Sequence, residues 1–372
     1  MRIGVVSEPP RIGSPIKICL KQLSNLSKRH SIFLVIQERN LSSLTNVFRG
    51  LLKSTFLIKL KSIPFLSPIL DAVSKTYRTM EWGEVEIDLA SLIMNIAIAS
   101  HRLSSVKCER LLCHSTLAPF SVLDLYARSK IRKILHVHDV PIHVMMKQGG
   151  LAKDRLTVEA VKRFESWVVS KADAIICTTY YAARSWRDVF GVKAVVIHPG
   201  CDPVHVFPYP KKDYILSLSS WARGRGSFFL LDLFERLKNS KMKLIIAGSW
   251  PDLSEFERLR TAVSKKGLQR KVFLLQNLSE NAIVDLYRNA RCFISPPIEG
   301  PFLMTSLEAA SQGTPIIFPS GASAWEVFTP GVHGFEVVVG DMESYIESVS
   351  KFEEDETVRK LGYSIWKRSK DV

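Results

Sequence analysis

The chain has 372 residues, 46% of them hydrophobic and 23% charged, with a formal net charge of +15. That length supports two domains with separate cores, and the composition excludes a collagen-like repeat, wholesale disorder and a disulfide scaffold. Residues 1–200 carry 29 Lys+Arg against 15 Asp+Glu while residues 201–372 carry 22 against 21, so an anionic partner is expected for the first half, with a generally basic proteome as the plainer alternative.

In chain order, residues 3–7 read as a strand, 15–28 as a helix with Ile18, Leu20, Leu23 and Leu26 on one face, and 31–36 as the next strand. Residues 50–70 set Lys53, Lys59 and Lys61 among Leu, Phe and Ile. This suits docking at a lipid interface; the alternative is a buried helix with snorkelling lysines. Strand patterns return at 110–113, 134–138, 174–177 and 194–198, separated by helical stretches such as 154–170 and 181–189. Residues 199–212 hold four prolines and a glycine and read as a linker. Strands are then expected at 214–218, 242–247, 272–275, 292–295 and 314–318, and helices at 227–238, 253–266, 280–289 and 304–312. The tail, 352–372, is charged and helical in pattern. Strands alternating with helices on both sides of a linker predict an α/β protein with two doubly wound, Rossmann-like domains, whose ligands bind at the carboxyl ends of the strands.

Six cysteines, Cys19, Cys108, Cys113, Cys177, Cys201 and Cys292, form no paired framework and suit buried thiols in a reducing compartment. The chain opens directly on a strand-like run without a leader pattern, and no uncharged apolar run has membrane-spanning length, so a cytoplasmic protein is expected.

The segment 295–315, SPPIEGPFLMTSLEAASQGTP, carries the chemistry. A strand ends at Ser295, a loop presents Glu299 and Gly300, and a helix starting near Leu303 carries Glu308 before Gly313 and Pro315 stop it. A helix N-terminus behind a glycine loop offers free N–H groups and a favourable dipole to a diphosphate. A carboxylate further along that helix can accept hydrogen bonds from two vicinal ribose hydroxyls.

Glu299, Gly300, Leu303, Glu308, Ala309, Gly313, Pro315 and Ile316 resemble the signature of the family 4 glycosyltransferases, retaining enzymes of the GT-B fold. The resemblance implies that Glu299 touches the donor sugar and Glu308 the ribose, with Met304 and Thr305 at the phosphate-binding turn. Pro301 makes the interval between the two glutamates one residue longer than the family's usual spacing. Similar stretches occur at 172–178, at 198–202 without the family's Asn, at 278–294, and at 325–341 with Gly331, Gly334 and Asp341. In the loop 219–226, SSWARGRG, Arg225-Gly226 resembles the family's diphosphate-binding Lys-Gly, and Arg223 replaces a charge otherwise expected near Ser219 or Ser220. A solvated basic turn is the plainer reading.

In the first half, the His-Asp of His136-Val137-His138-Asp139 resembles a pair that lies beside the sugar, which assigns that role to His138 and leaves His136 as a packed strand residue. His114-Ser115 ends a strand on the acceptor side, and Gly13 stands where relatives often have two glycines near the phosphate. His30 is expected to be structural. A metal set of His136, His138 and His143 lacks a fourth ligand, and Cys108, Cys113 and His114 lack a second ligand pair. There is no Asp-x-Asp, so neither a metal nor another cofactor is expected.

The resemblance therefore implies retaining, metal-independent transfer of a hexose from a UDP- or GDP-linked sugar to a glycan or lipid-linked acceptor. Residues 1–200 would form the acceptor-side domain, 201–350 the nucleotide-sugar domain, and 351–372 a helix returning to the first domain. An anionic membrane surface is the expected neighbour of the basic half, placing the protein at the inner membrane face; nucleic acid is not expected, because no recognition module is present. The extra residue after Glu299 and the altered 219–226 loop keep a second reading open: a non-catalytic, nucleotide-sugar-binding partner subunit.

Overall fold

The computed structural model describes residues 2–6, 25, 28–29, 31–37, 55–60, 80–82, 85–87, 109–114, 131–144, 155–221, 224–250, 253–297 and 303–372. The chain divides into two compact units, Met1–Ile197 and His198–Val372.

The first unit contains β1 (Arg2–Val6), β2 (Ser31–Gln37), β3 (Thr55–Leu60), β6 (Arg110–His114), β7 (Arg132–Val137), β8 (Ala174–Cys177) and β9 (Val195–Val196) in one seven-stranded sheet ordered β3-β2-β1-β6-β7-β8-β9. Every pairing in it is parallel. A separate antiparallel pair, β4 (Met80–Trp82) and β5 (Val85–Ile87), stands outside it. Two described helices, α1 (Arg155–Lys171) and α2 (Tyr180–Phe190), pack on one face. Alternation decides which residues they cover: Leu111, Cys113, Leu135, Val137, Ile175 and Cys177 share a core with Val168, Ala182 and Trp186. Thr179 caps α2 by accepting from Ala182 N at 3.0 Å, and Gly191 in the left-handed region (φ 67°) ends it.

The second unit is a six-stranded sheet, β12-β11-β10-β13-β14-β15, built from β10 (Lys212–Ser220), β11 (Lys243–Ser249), β12 (Val272–Gln276), β13 (Ala290–Ile294), β14 (Ile316–Pro319) and β15 (Gly334–Val337). Its pairings are all parallel. The helices are α3 (Ser227–Arg236), α4 (Leu253–Lys265), α5 (Glu280–Asn289), α6 (Leu303–Ser311), α7 (Met342–Lys351) and α8 (Asp355–Ser369). Odd and even strand positions again separate two cores. Ile215, Leu244, Ile246, Cys292 and Ile294 pack with Leu230 and Phe234 of α3, Leu259 of α4 and Tyr345 of α7. Leu216, Ala247, Phe293, Ile316 and Phe318 pack with Tyr287 of α5, Leu307 and Ala310 of α6, and Ile365 of α8. Fully burying each Leu, Ile or Phe among them contributes roughly 1.5–3 kcal/mol.

Residues 199–211 do not hang as a free linker; they are strapped onto the second unit. Val204 N donates to Ser311 O at 3.0 Å, and Trp366 Nε1 donates to Val204 O at 2.9 Å. Phe207 fills a slot left by two glycines: a Cβ on Gly313 would stand 2.8 Å from its ring, and one on Gly362 would stand 3.2 Å from it. Buried Lys211 donates to Arg288 O at 2.6 Å, Gln312 O at 3.0 Å and Thr314 Oγ1 at 3.3 Å. The tail helix α8 lies against α6 in this same unit. Arg291 secures the turn before it, donating to Phe352 O at 2.7 Å, Asp213 Oδ1 at 2.9 Å and Asp355 Oδ1 at 2.5 Å.

Some expectations need correcting. The segment 50–70 is not one interfacial helix, because Thr55–Leu60 forms β3 in parallel register with β2. Its TFLIKL run is rich in residues that suit strands, and it reads better at period two than at 3.6. Among the described residues no helix is long and apolar enough to cross a membrane. Pattern reading missed β15 and α7, although Asp341 caps α7 by accepting from Glu343 N at 3.0 Å. The expected helix over 15–28 lies outside the described residues except at Asn25 and Lys28, and Gly13, Cys19, His30 and Cys108 lie outside them altogether.

Candidate functional site

In the second unit, successive strands run outward in opposite directions from β10 and β13, which lie side by side with Ile215 opposite Cys292 and Leu216 opposite Phe293. The chain leaves both at their carboxyl ends, next to each other, and that reversal of strand order is where α/β sheets bind ligands. The loop after β10 leads into α3 and the loop after β13 leads into α6. Two helix N-termini therefore start from adjacent strand ends.

The loop after β10 is anchored by Trp221, which is fully buried and donates from Nε1 to Ala247 O at 2.8 Å. Gly224 (φ 82°) and Gly226 (φ 77°) then take the left-handed conformation that a side chain resists. Gly226 occupies the cap position of α3 and offers no side chain, so the first N–H groups of α3 have no capping partner from it. Arg225, between the glycines, is half-buried and forms no ion pair among the described residues. Arg223 lies outside them.

The loop after β13 includes Glu299 and Gly300, also outside the described residues, and α6 starts at Leu303, whose side chain lies outside them too. Met304 and Thr305 in the first turn are half-buried, whereas Leu307, Ala309 and Ala310 are buried against the sheet. Glu308 is half-buried, and its Oε2 accepts from Tyr287 Oη at 3.1 Å. Tyr287 is buried and keeps its proton, because burial first and the Glu308 carboxylate second push its pKa well above the ordinary value. Sequence reading missed this tyrosine; its only signal was an aromatic in the last turn of α5. Surface hollows are lined by Glu159, Lys162 and Phe190 in the first unit and by Phe207 and Tyr363 in the second, not by residues of these two loops.

In the first unit, His138 is found in a cluster. His114 ends β6 and His136 lies opposite it in register on β7. His138 follows two residues after His136, so all three share the sheet face opposite α1 and α2. His114 Nδ1 and His138 Nε2 are 2.9 Å apart in a hydrogen bond. The ring centroids stand 5.0 Å (His114–His136), 5.2 Å (His114–His138) and 4.5 Å (His136–His138) apart. Burial, with the neighbouring His136, lowers His114 to about 3, and burial lowers His136 to about 4. His138 is also held well below its ordinary value, by burial first and then by His136 and His114. All three are neutral at neutral pH. The backbone after β7 is pinned by Thr178 Oγ1, which donates to His138 O at 3.0 Å, and by Trp186 Nε1, which donates to Asp139 O at 2.8 Å.

The ligand sets suggested by sequence are thereby revised. His143 is not in the cluster; its Nδ1 pairs with buried Glu165 Oε2 at 2.5 Å, and Glu165 also accepts from Ile142 N at 2.6 Å. Cys113 belongs to the core on the opposite face from its neighbour His114. His136 is a member of the cluster as well as a packed strand residue.

Comparison with known proteins agrees with this architecture. Residues 93–205 match Glycosyltransferase Family 4 and residues 205–367 match Glycosyl transferases group 1. Mannosylfructose-phosphate synthase of Agrobacterium fabrum is 25% identical over 189 residues, covering 45% of this chain and 42% of that one. GDP-mannose:cellobiosyl-diphosphopolyprenol alpha-mannosyltransferase of Xanthomonas campestris is 31% identical over 101 residues, covering 27% of this chain and 26% of that one. The chain thus spans less than half the length of either relative. Among solved structures, Anabaena HepE in complex with UDP-glucose superposes with a TM-score of 0.73 at 12% identity, covering 100% of this chain and 95% of that one. Sucrose-phosphate synthase from Thermosynechococcus elongatus gives 0.73 at 14% identity, covering 100% and 94%. Family matches that run in succession along residues 93–367, on two parallel sheets each with its reversal of strand order, show that the chain belongs to the family 4 glycosyltransferases and has their GT-B fold.

Proposed function

We propose that the protein is a retaining glycosyltransferase that moves a hexose from a UDP- or GDP-linked sugar to a hydroxyl of a glycan or lipid-linked acceptor, without a metal. The observation that carries this reading is Glu308 on α6, the helix that begins at the reversal of strand order, where the Tyr287 hydroxyl of α5 holds its carboxylate. Breaking the anomeric C–O bond leaves positive charge on the sugar and sends the electron pair to the diphosphate. The acceptor oxygen forms the new bond on the face from which the diphosphate departs, and its proton goes to a diphosphate oxygen. The site must stabilise both charges. Arg225, Arg223 and the N–H groups around Leu303, Met304 and Thr305 take the diphosphate, Gly300 and Gly13 allow close backbone approach, and Glu308 accepts from the ribose hydroxyls. Glu299 and His138 orient the sugar. The surplus of Lys and Arg in residues 1–200 supports an anionic, lipid-linked acceptor.

The test is a screen of UDP- and GDP-sugars for thermal stabilisation, repeated with Glu308→Ala, followed by turnover of the best donor. Stabilisation by one donor that the variant loses, with hydrolysis or transfer of that donor, supports the reading. A variant that binds every donor as well as the parent removes Glu308 from the site. Binding without any turnover favours the partner-subunit reading.

A further inference from the structure

Four buried ring nitrogens of the histidine cluster have no hydrogen-bond partner: His114 Nε2, both nitrogens of His136, and His138 Nδ1. A neutral imidazole carries one N–H and one lone pair, and burying either without a partner forfeits its hydration. His114 and His136 are only 2% and 1% exposed, so solvent does not make up the loss. Each of the three rings offers one nitrogen, and the three atoms lie within 4.8 Å of one another. Their backbone is fixed by the β6–β7 register and by the Thr178 and Trp186 hydrogen bonds.

We infer that His114, His136 and His138 bind one transition-metal cation of the zinc class, and that occupancy takes His138 away from the donor sugar, making the metal an inhibitor of transfer. The binding half stands on the cluster alone; the inhibitory half rests on the role proposed above for His138.

Three imidazoles without a carboxylate favour zinc, copper, nickel or cobalt over magnesium, calcium or manganese. Three histidines are also a sufficient ligand set for tetrahedral zinc, the fourth position being left to water. Zinc–nitrogen bonds of about 2.0–2.1 Å put the ligand atoms roughly 3.4 Å apart, so the rings need only turn and close slightly. His114 Nδ1 and His138 Nε2, at 2.9 Å, already approach that spacing. The proton they share moves on binding to the other nitrogen of the same ring, which is one of the unpartnered atoms. No carboxylate or carbonyl orients those outer nitrogens among the described residues. Such outer partners are worth about 10–100-fold in affinity, so binding in the micromolar range is expected.

The experiment is equilibrium dialysis of the full chain against Zn2+ with elemental analysis, paralleled by the visible absorption of Co2+ and with Mg2+ as control. The expected result is one Zn2+ per chain, weakened at least about 10-fold in His136→Leu and in His114→Gln and unchanged in the exposed His205→Asn. Absence of stoichiometric zinc, or binding that neither cluster variant weakens, overturns the site. Donor turnover should fall over the same zinc range, recover with chelator, and lose its zinc sensitivity in His136→Leu. Zinc that binds without slowing turnover overturns the inhibitory role. A chain with no turnover at all refutes the transferase reading instead, while dialysis still decides the site.

Discussion

A double-mutant cycle on Tyr287 and Glu308 isolates the contact on which donor binding is argued. The Tyr287 hydroxyl is buried in the second unit and stands 3.1 Å from Glu308 Oε2. Hydrogen bonds to an ionised group are worth about 1.5–3 kcal/mol, so Glu308→Ala should weaken UDP or GDP binding by roughly 10- to 150-fold. Tyr287→Phe leaves the carboxylate in place but frees its rotamer. Ordering it again on binding costs about 1 kcal/mol, or about 5-fold in affinity. The same substitution lowers folding stability by about 1 kcal/mol. If Tyr287 acts on the nucleotide only by holding Glu308, its effect on affinity should shrink to below about 0.5 kcal/mol in the Glu308→Ala background. Titration calorimetry with UDP and GDP on the four proteins reads the affinities, and urea unfolding reads the stability. Equal losses from Tyr287→Phe in both backgrounds, or no loss in either, refute the argument that the phenol aims the carboxylate.

Other outcomes follow from single groups. Arg225→Gln should weaken UDP binding by roughly 10- to 100-fold, leave uridine binding unchanged, and alter stability by less than about 0.5 kcal/mol; equal losses for UDP and uridine would remove Arg225 from the diphosphate. Gly362→Ala drives a methyl to 2.9 Å from Gly313 O and 3.2 Å from the Phe207 ring, so its urea midpoint should fall by an amount equivalent to about 1–3 kcal/mol; an unchanged midpoint would show that the slot yields. Burial first, then the Arg288 guanidinium, push the Lys211 ammonium down to about 7. Because the unfolded chain holds that proton up to about 10.4, the Lys211 contribution makes stability rise with pH across that window. Urea unfolding from pH 6 to 10 should therefore show a steeper rise in the parent than in Lys211→Met; parallel curves would show that the three oxygens around Nζ keep it charged.

The repeating architecture was legible because local pattern and burial agree. In β13 the apolar Cys292, Phe293 and Ile294 suit a sheet covered on both faces, and all five residues of Ala290–Ile294 are buried. The helix carrying Glu308 was legible from its glycine loop and its stop at Gly313. What failed depends on partners distant in sequence. Residues 199–211 look like a linker by composition, yet Phe207 finds its slot only when Gly313 and Gly362 meet. The histidine cluster needed the register of β6 against β7, which joins His114 to residues 22 and 24 positions later, so a search for nearby ligands selected His143 instead. β3 was obscured because its lysine-studded surroundings imitate an amphipathic surface, whereas pairing with β2 decides the matter.

β13 ends at Ile294 and α6 begins at Leu303. A change of length between two such elements leaves both intact, and each doubling of a flexible loop costs only about 0.6 kcal/mol. An added residue such as Pro301 is therefore expected to matter more for which ligand is accepted than for whether the domain assembles. Natural length variants of this stretch are accordingly the place to look for a change of donor.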